Sequence, residues 1–341
     1  MGFLAVLCAL ILEQARPLER GNWVHAGLRA WARWSNRALD AGQTHHGWIV
    51  WCFAVLVPSL LTMMVHLLLW RFSVLLAFLW SVGILYITLG FRQFSHYFTE
   101  IRDALDSGDE AIARDLLAQW RQVDASELPR SEIVRHVIEY SILAAHRHVF
   151  GVLAWFSVLT ALGLGPAGAV MYRMGEFVSR YWAYKSQHPE FVGDGASPAL
   201  QVVATQAWGW IDFIPARLTA LGFAVVGSFE DAIDAWRTYS QRFAADEPVA
   251  TNDRNDGLLL AVTSGAVNVR LGGEVLRPVF PGSLAEARLL AIDSGATEAT
   301  EATPGREPEL AHLRSIVGLV WRSVVLWMVL LALLTLARLV G

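Results

Sequence analysis

The chain has 341 residues, of which 55% are hydrophobic and only 17% are charged, and its mean hydropathy is +0.40. This composition is typical of a polytopic membrane protein. The net charge of −4 argues against nucleic-acid binding. Lys185 is the only lysine and lacks neighbouring glycines, which excludes a P-loop for phosphate.

Apolar stretches that approach bilayer length, about 20 residues, recur along the chain. They are 48–69, 72–91, 149–172, 201–227 and 316–336. The third contains glycines and a proline at 163–166, which predict a break in mid-membrane. Residues 1–12 are also apolar and lack the basic start and cleavage site of a signal peptide, so we interpret them as a short first helix. The sequence predicts an all-α integral membrane protein with about five to six transmembrane or re-entrant helices.

The connecting segments contain most of the 27 Arg and Lys residues. These segments are 13–47, 92–148 and 228–315. The positive-inside rule then places the three long loops in the cytoplasm and the N-terminus in the periplasm.

Two of the loops show features of their own. Within 92–148, helical periodicity predicts an amphipathic helix over 97–123, and Pro129 and Ser131 predict the start of another helix, with Ser131 as its cap. Such amphipathic helices are expected to pack under the membrane. The third loop contains a polar stretch, 293–308, that predicts a flexible linker.

Ionisable residues within the fourth apolar stretch are the first candidates for a site. Asp212 and Arg217 lie there, with Pro215 between them. Charged groups in a membrane segment usually face a cavity or a partner. They are consistent with an anionic-ligand site around Arg217, with a structural pair, or with a shallow segment at the headgroups. We predict that a buried carboxylate, Asp212 or Glu139, holds Arg217.

Histidine pairs occur at 45–46 and at 146 and 148. No cysteine or carboxylate stands at ligand spacing from them, so no metal site is predicted. The sequence identifies no cofactor.

Two motifs resemble signatures of the CobD/CbiB family of cobalamin biosynthesis. One contains Asn255 and Gly257 and continues through 264–273 to Arg270-Leu271-Gly272-Gly273; the other is Ile214-Pro215-Ala216-Arg217-Leu218. The family joins an aminopropanol arm to cobyric acid. Ile138-Glu139 and Tyr172-Arg173 also match family motifs in part. The candidate ligand-binding residues are therefore Asp212 and Arg217 from the fourth apolar stretch, together with those that the resemblance implies: Arg270, Asn255, Glu139, Tyr172 and Arg173. Gly272-Gly273 predicts a tight turn that presents Arg270 to a ligand, or else a surface turn with a solvated arginine.

Acidic and amide residues of the family motifs are replaced in this chain. Leu260 stands in place of a Glu, Gly175 and Val178 stand near an expected Asn and Asp, and Trp208 lies in the region of an Asp pair. The same departures characterise AmpE proteins, which the segments 13–23 and 210–218 also resemble. The resemblance therefore implies a bacterial inner-membrane protein of the CobD/CbiB–AmpE superfamily, a non-catalytic sensory or regulatory relative.

The alternative is an active adenosylcobinamide-phosphate synthase that attaches the aminopropanol arm to adenosylcobyric acid at a rearranged site. A small-solute transporter is a weaker interpretation, because no inverted repeat is visible. In each case residues 1–341 form one membrane domain of this family. The expected partners are the lipid bilayer and a corrinoid or another anionic ligand. The sequence does not identify the oligomeric state.

Overall fold

The structure is a computed structural model that describes residues 2–16, 23–121, 124–187, 196–245, 251–273 and 302–340. These residues form helices, together with an isolated parallel β-bridge between Val269 and Arg306. A π-helical turn, His146–Phe150, joins α7 to α8. In chain order the helices are α1 (Gly2–Ala15), α2 (Trp23–Leu39), α3 (Thr44–Phe72), α4 (Val74–Thr88), α5 (Phe91–Asp106), α6 (Glu110–Arg121), α7 (Arg130–Ala145), α8 (Gly151–Ala161), α9 (Ala167–Gln187), α10 (Pro198–Val226), α11 (Phe229–Ala245), α12 (Thr251–Val267) and α13 (Leu310–Val340).

Within the described residues, four helical segments are long and apolar enough to cross a membrane. They are Thr44–Phe72, Arg130–Ala161, Pro198–Val226 and Leu310–Ala337. Helices α1 and α4 are apolar but shorter. The 15 residues of α4 span about 22 Å, less than the roughly 30 Å of a hydrocarbon core, so the predicted stretch 72–91 is not a full span. The protein is an all-α membrane protein, as the sequence predicted.

The third predicted stretch, 149–172, is divided differently from the prediction. It breaks as expected after α8, where Gly163 and Gly165 have φ values of 80° and 63°. However, the helical segment that contains its first half begins earlier, at Arg130. The predicted boundary at 148 therefore lies inside this segment, at its π-helical turn. Ser131 is not the cap of α7, because the N-cap residue is Pro129. Residues 133–145 are all buried, so α7 contacts protein on every side.

The amphipathic segment 97–123 forms two helices, α5 and α6, and not one. Gly108, with a φ of 82°, makes the turn between them, and the Asp109 carboxylate accepts a hydrogen bond from the Ile112 amide at the start of α6. Seven apolar residues give this segment its helical periodicity. Ile112 is 50% exposed and Leu116 is partly exposed, whereas the other five are buried: Phe98, Ile101, Leu105, Leu117 and Trp120.

The chain divides into two compact units, and the first comprises Met1–Arg92, Arg147–Pro215 and Trp327–Gly341. In it α9 packs against α3 and α8, and α1 packs against α4. Small residues permit the close approach of α8 and α9: a Cβ added to Gly168 would lie 2.1 Å from the Trp155 carbonyl oxygen. The amphipathic α2 packs against α3, where the Trp31 indole donates to the Ala54 carbonyl.

The second unit comprises Gln93–His146 and Ala216–Leu326. In it α11 packs against α12, and α7 packs against α6 and α12. The predicted linker 293–308 lies outside the described residues up to position 301. Its last part is held against the loop that follows α12: the Leu271 amide donates to the Thr303 hydroxyl, and the Arg270 amide donates to the Arg306 carbonyl.

The orientation in the membrane stays a prediction with a direct test. Alkaline phosphatase fused at Gly108 should be inactive, because the turn between α5 and α6 is expected in the cytoplasm. A fusion at Gly195, in a segment outside the described residues, should be active in the periplasm. High activity at Gly108 together with none at Gly195 would reverse the predicted orientation.

Candidate functional site

A buried ionic cluster on α7 is the centre of the candidate site in the second unit. Glu132, Arg135 and Glu139 recur at three- and four-residue spacing, which places them on one face of the helix. The Arg135 guanidinium donates to Glu132 Oε2 from Nε, at 2.8 Å, and to Glu139 Oε1 from Nη1, at 2.9 Å. The side chains of Arg135 and Glu139 are 4% and 9% exposed. Pairing with one another explains how these charges can be buried in an apolar helical segment.

The same two side chains bind the backbone of Gly272 from the loop after α12. The Gly272 amide donates to Glu139 Oε1 at 2.6 Å, and Arg135 Nη1 donates to the Gly272 carbonyl at 3.0 Å. Glu139 and Gly272 are 133 residues apart in the chain, and both belong to motifs of the family resemblance. The structure therefore brings these two motifs together. We call this arrangement of Arg135, Glu139 and Gly272 the Gly272 clamp.

The tight turn predicted at Gly272-Gly273 is present. Gly272 and Gly273 have φ values of 80° and 118°, which strongly favour glycine. On the other side of the loop, Thr303 and Arg306 hold the backbone of Leu271 and Arg270. The Arg270 side chain is exposed on this doubly held loop. A guanidinium in that position is suited to bind a carboxylate or phosphate group through two hydrogen bonds.

His136 lies beside the clamp. Its Nδ1 atom is 3.4 Å from Glu139 Oε2, and its Nε2 atom is 4.0 Å from Glu132 Oε2. One oxygen of Glu139 thus binds Arg135 and Gly272, and the other lies next to His136. The carboxylate is held in one orientation, which suits an anchor for the loop.

Arg217 lies on α10, two residues after Pro215, which is inside the helix. Its Nη1 atom donates to the side-chain oxygen of Asn255 at 3.1 Å, and Asn255 is fully buried on α12. This contact joins two further residues of the family motifs. The partner of Nη1 is the Asn255 amide oxygen, and a carboxylate partner of Arg217 stays a prediction.

Asp212 and Tyr172 meet in the first unit. The Tyr172 hydroxyl donates to Asp212 Oδ1 at 2.7 Å, and both residues are buried. Trp208 packs on the Tyr172 ring, with 4.9 Å between the ring centroids. Gly151 is required beside this ring, because a Cβ there would lie 2.0 Å from it. Asp212 is thus hydrogen-bonded to the phenol group of Tyr172.

Arg173 belongs to a second buried ionic cluster in the first unit. Its Nη1 atom donates to Glu176 Oε2 at 2.7 Å, and Arg180 donates to the other oxygen of the same carboxylate. Glu176 is 1% exposed. One carboxylate and two guanidinium groups therefore stand together on α9, close to the place where the family resemblance implies an Asn and an Asp.

The positions of the replaced motif residues are packed with apolar groups. Leu260 on α12, and Val178 and Trp208 in the first unit, are 2% exposed or less. A Cβ on Gly175 would already touch the Ile211 side chain, at 3.4 Å. These positions consequently present no oxygen to a ligand. Within the described ranges, His, Cys, Asp and Glu side chains form no group of three or more that could hold a metal ion.

The residues that the sequence singled out form three contacts, Glu139 with Gly272, Arg217 with Asn255, and Tyr172 with Asp212. Sequence reasoning missed the partners Arg135, His136 and Glu176. The signal for Arg135 was present: an acid three residues before it and another four residues after it predict a helical ion-pair face. The signal for Glu176 was equally local, with arginines at 173 and 180.

Comparisons with known proteins agree with this set of motifs. The family model described as CobD/Cbib protein matches residues 4–280. The cobalamin biosynthesis protein CobD of Stutzerimonas stutzeri (strain A1501) is 28% identical over 338 residues, which are 96% of each chain. The protein of the same name from Chromobacterium violaceum is 29% identical over 199 residues, 58% of this chain and 57% of the relative. No solved structure matches the chain significantly. The chain belongs to the CobD/CbiB protein family.

Proposed function

We propose that this protein keeps the ligand-binding scaffold of its family without the synthase reaction. It would bind a corrinoid or another anionic ligand at the bacterial inner membrane, in a sensory or regulatory role. One observation carries the proposal: where the family resemblance implies acids and amides, this chain has buried, well-packed Leu260, Val178 and Trp208. A small movement of the backbone could not bring another acidic side chain into these filled positions.

The retained residues support the binding half of the proposal. The Gly272 clamp fixes the loop that carries Arg270, and Asn255 contacts Arg217. These contacts preserve positively charged groups on an ordered scaffold, which is what recognition of an anion needs. General acid–base or metal-assisted chemistry would need the carboxylates that are absent. The resemblance to AmpE proteins supports a regulatory role in the same way.

A second candidate function is adenosylcobinamide-phosphate synthase. The names of the relatives favour it, and the Stutzerimonas protein aligns with nearly the whole chain. The synthase would have to use acids at new positions, of which Glu176, between Arg173 and Arg180, is the one nearest to the lost motif.

Complementation separates the two candidates. The gene is expressed in a strain that lacks its own synthase, on minimal medium that demands cobalamin and is supplied with cobyric acid and aminopropanol phosphate. We expect no growth, since the loss of one catalytic carboxylate already costs a factor of about 10² or more. An immunoblot of the membranes shows that the protein is made, and the strain's own gene is the positive control. Growth with the wild-type gene that Arg270→Ala abolishes would overturn the proposal.

The binding half is tested on the purified protein in nanodiscs, with cobyric acid as the probe. We expect saturable binding that Arg270→Ala weakens and that Arg237→Ala, an exposed arginine of the same unit, leaves unchanged. If cobyric acid does not bind, a corrinoid is excluded as the ligand. If inorganic phosphate and carboxylate probes do not bind either, the proposal of an anion site at Arg270 is contradicted.

A further inference from the structure

A cavity of about 410 Å³ lies in the first unit. Its walls come from α1, the end of α3, the start of α4, and the end of α8 with the loop that follows. Most of the lining is apolar or small, including Ala5, Ala77 and Phe156. The volume is within the range of small-ligand sites, which are lined mainly by apolar side chains.

One wall of the cavity is polar. His66, buried to all but 8%, lies with its Nδ1 atom 3.4 Å from the Ser81 hydroxyl, and both residues line the cavity. The ring is fixed from behind by Gly165, where an added Cβ would lie 2.3 Å from it. The Ser81 hydroxyl also donates to the Ala77 carbonyl at 2.9 Å, so the His66 imidazole is the hydrogen-bond donor that this wall can offer to a ligand.

The depth of this polar pair matches the carboxyl region of lipid chains. His66 lies six residues before the end of α3, and Ser81 lies seven residues after the start of α4, or about 9–10 Å from the helix ends. With its 29 residues, α3 is about 43 Å long. If the helix is centred in the bilayer, it extends beyond a hydrocarbon core of roughly 30 Å by about 6–7 Å at each end. The pair then lies a few ångströms below the edge of the hydrocarbon core.

The cavity also has an opening towards lipid. Leu67 and Trp70 line it and are 46% and 49% exposed. Phe72, two residues after Trp70, and Leu162, which precedes the lining residue Gly163, are also large apolar side chains with high exposure. A molecule dissolved in the bilayer can therefore reach the cavity without crossing water.

We propose that this cavity binds a fatty acyl chain whose carboxyl or ester end lies at His66 and Ser81. The apolar walls fit the chain, the polar pair fits its oxygen atoms, and the exposed rim provides access from the membrane. The chain can come from a phospholipid or from a free fatty acid. This inference is independent of the proposed corrinoid or anion site.

Photo-crosslinking tests the proposal with two probes that have the same diazirine-bearing chain, a free fatty acid and a phosphatidylethanolamine. The full-length protein is labelled in nanodiscs and the labelled peptides are mapped. We expect labelling concentrated on residues 66–81 and 156–165, and competition by unlabelled palmitate or phosphatidylethanolamine. Labelling by one probe alone identifies the source of the chain. Labelling by neither, or spread evenly over the exposed helix faces, overturns the proposal.

Filling the cavity gives the decisive variant. Ala77→Phe should reduce labelling by about tenfold, the factor that 1.4 kcal/mol represents. Leu79→Phe, which adds a ring at an exposed position of the same helix, should leave labelling unchanged. If Ala77→Phe does not fold, Ala5→Leu narrows the cavity from α1 and should have the same effect. Ser81→Ala should keep the cavity but reduce the preference for the fatty acid over a diazirine-bearing alkane. Unchanged labelling in the folded cavity-filling variant would contradict the proposal.

Discussion

Replacement of Arg135 by alanine is expected to destabilise the protein by about 3–5 kcal/mol, the typical cost of removing one partner from a buried ion pair. The substitution removes the guanidinium that neutralises Glu139 and that donates to the Gly272 carbonyl. A buried carboxylate would remain, and the loop would keep the hydrogen bond from the Gly272 amide to Glu139 but lose the one to its carbonyl. The free energy of unfolding is measured by denaturant titration in detergent micelles.

Arg237→Ala is the matched control for this prediction. Arg237 belongs to the same unit and faces Asp234 across 3.6 Å, but both side chains are more than 70% exposed. Its loss should cost no more than about 1 kcal/mol. A double-mutant cycle with Glu139→Ala should show strong coupling to Arg135, because removal of both groups leaves no fully buried charge; Glu132, which also loses Arg135, is 30% exposed. Equal small effects of Arg135→Ala and Arg237→Ala would show that water reaches the cluster.

Replacement of Gly151 by alanine should cost about 1–3 kcal/mol, although it adds a single methyl group. The new Cβ would lie 2.0 Å from the buried Tyr172 ring, so the ring must move away from Asp212 and Trp208. Thermal unfolding of the detergent-solubilised protein would measure the effect.

Two further variants make this second prediction specific. Gly83→Ala, on α4, meets no atom within 4 Å and should be neutral or slightly stabilising, because alanine favours a helix. In a Tyr172→Ala background, Gly151→Ala should also lose most of its cost, since the clash is gone. If Gly151→Ala were just as costly there, the strain would come from another contact.

The fold could be predicted because bilayer physics acts on local sequence. Length and hydropathy located α3, α10 and α13 directly, and the break at Gly163 and Gly165 followed from glycine and proline content. The helix that begins at Arg130 was predicted, but its continuation into the third apolar stretch as one membrane-length segment was not. The sequence assigned residues up to 148 to a connecting segment, whereas Arg135 pairs with both Glu132 and Glu139, which allows the charged part of the helix to be buried in the protein.

The candidate site was predictable in its residues but only partly in its contacts. Asp212 and Arg217 are five residues apart, which separates their directions by about 140° on a helix and favours different partners. Asp212 accepts from Tyr172 and Arg217 donates to Asn255, at sequence separations of 40 and 38. No periodicity in a single sequence identifies contacts over such distances.

The Gly272 clamp also sets a threshold for any signal that passes through the Arg270 loop. Moving the loop would break two hydrogen bonds to charged groups, at a cost of about 1.5–3 kcal/mol each. A ligand changes the population of a second loop conformation only by the difference between its affinities for the two conformations. Weakly discriminating ligands would therefore leave the loop where it is, and only one that prefers the displaced form by roughly 3–6 kcal/mol would switch it. A ligand at Arg270 that discriminates by less than this would leave most molecules with the loop in the clamped position.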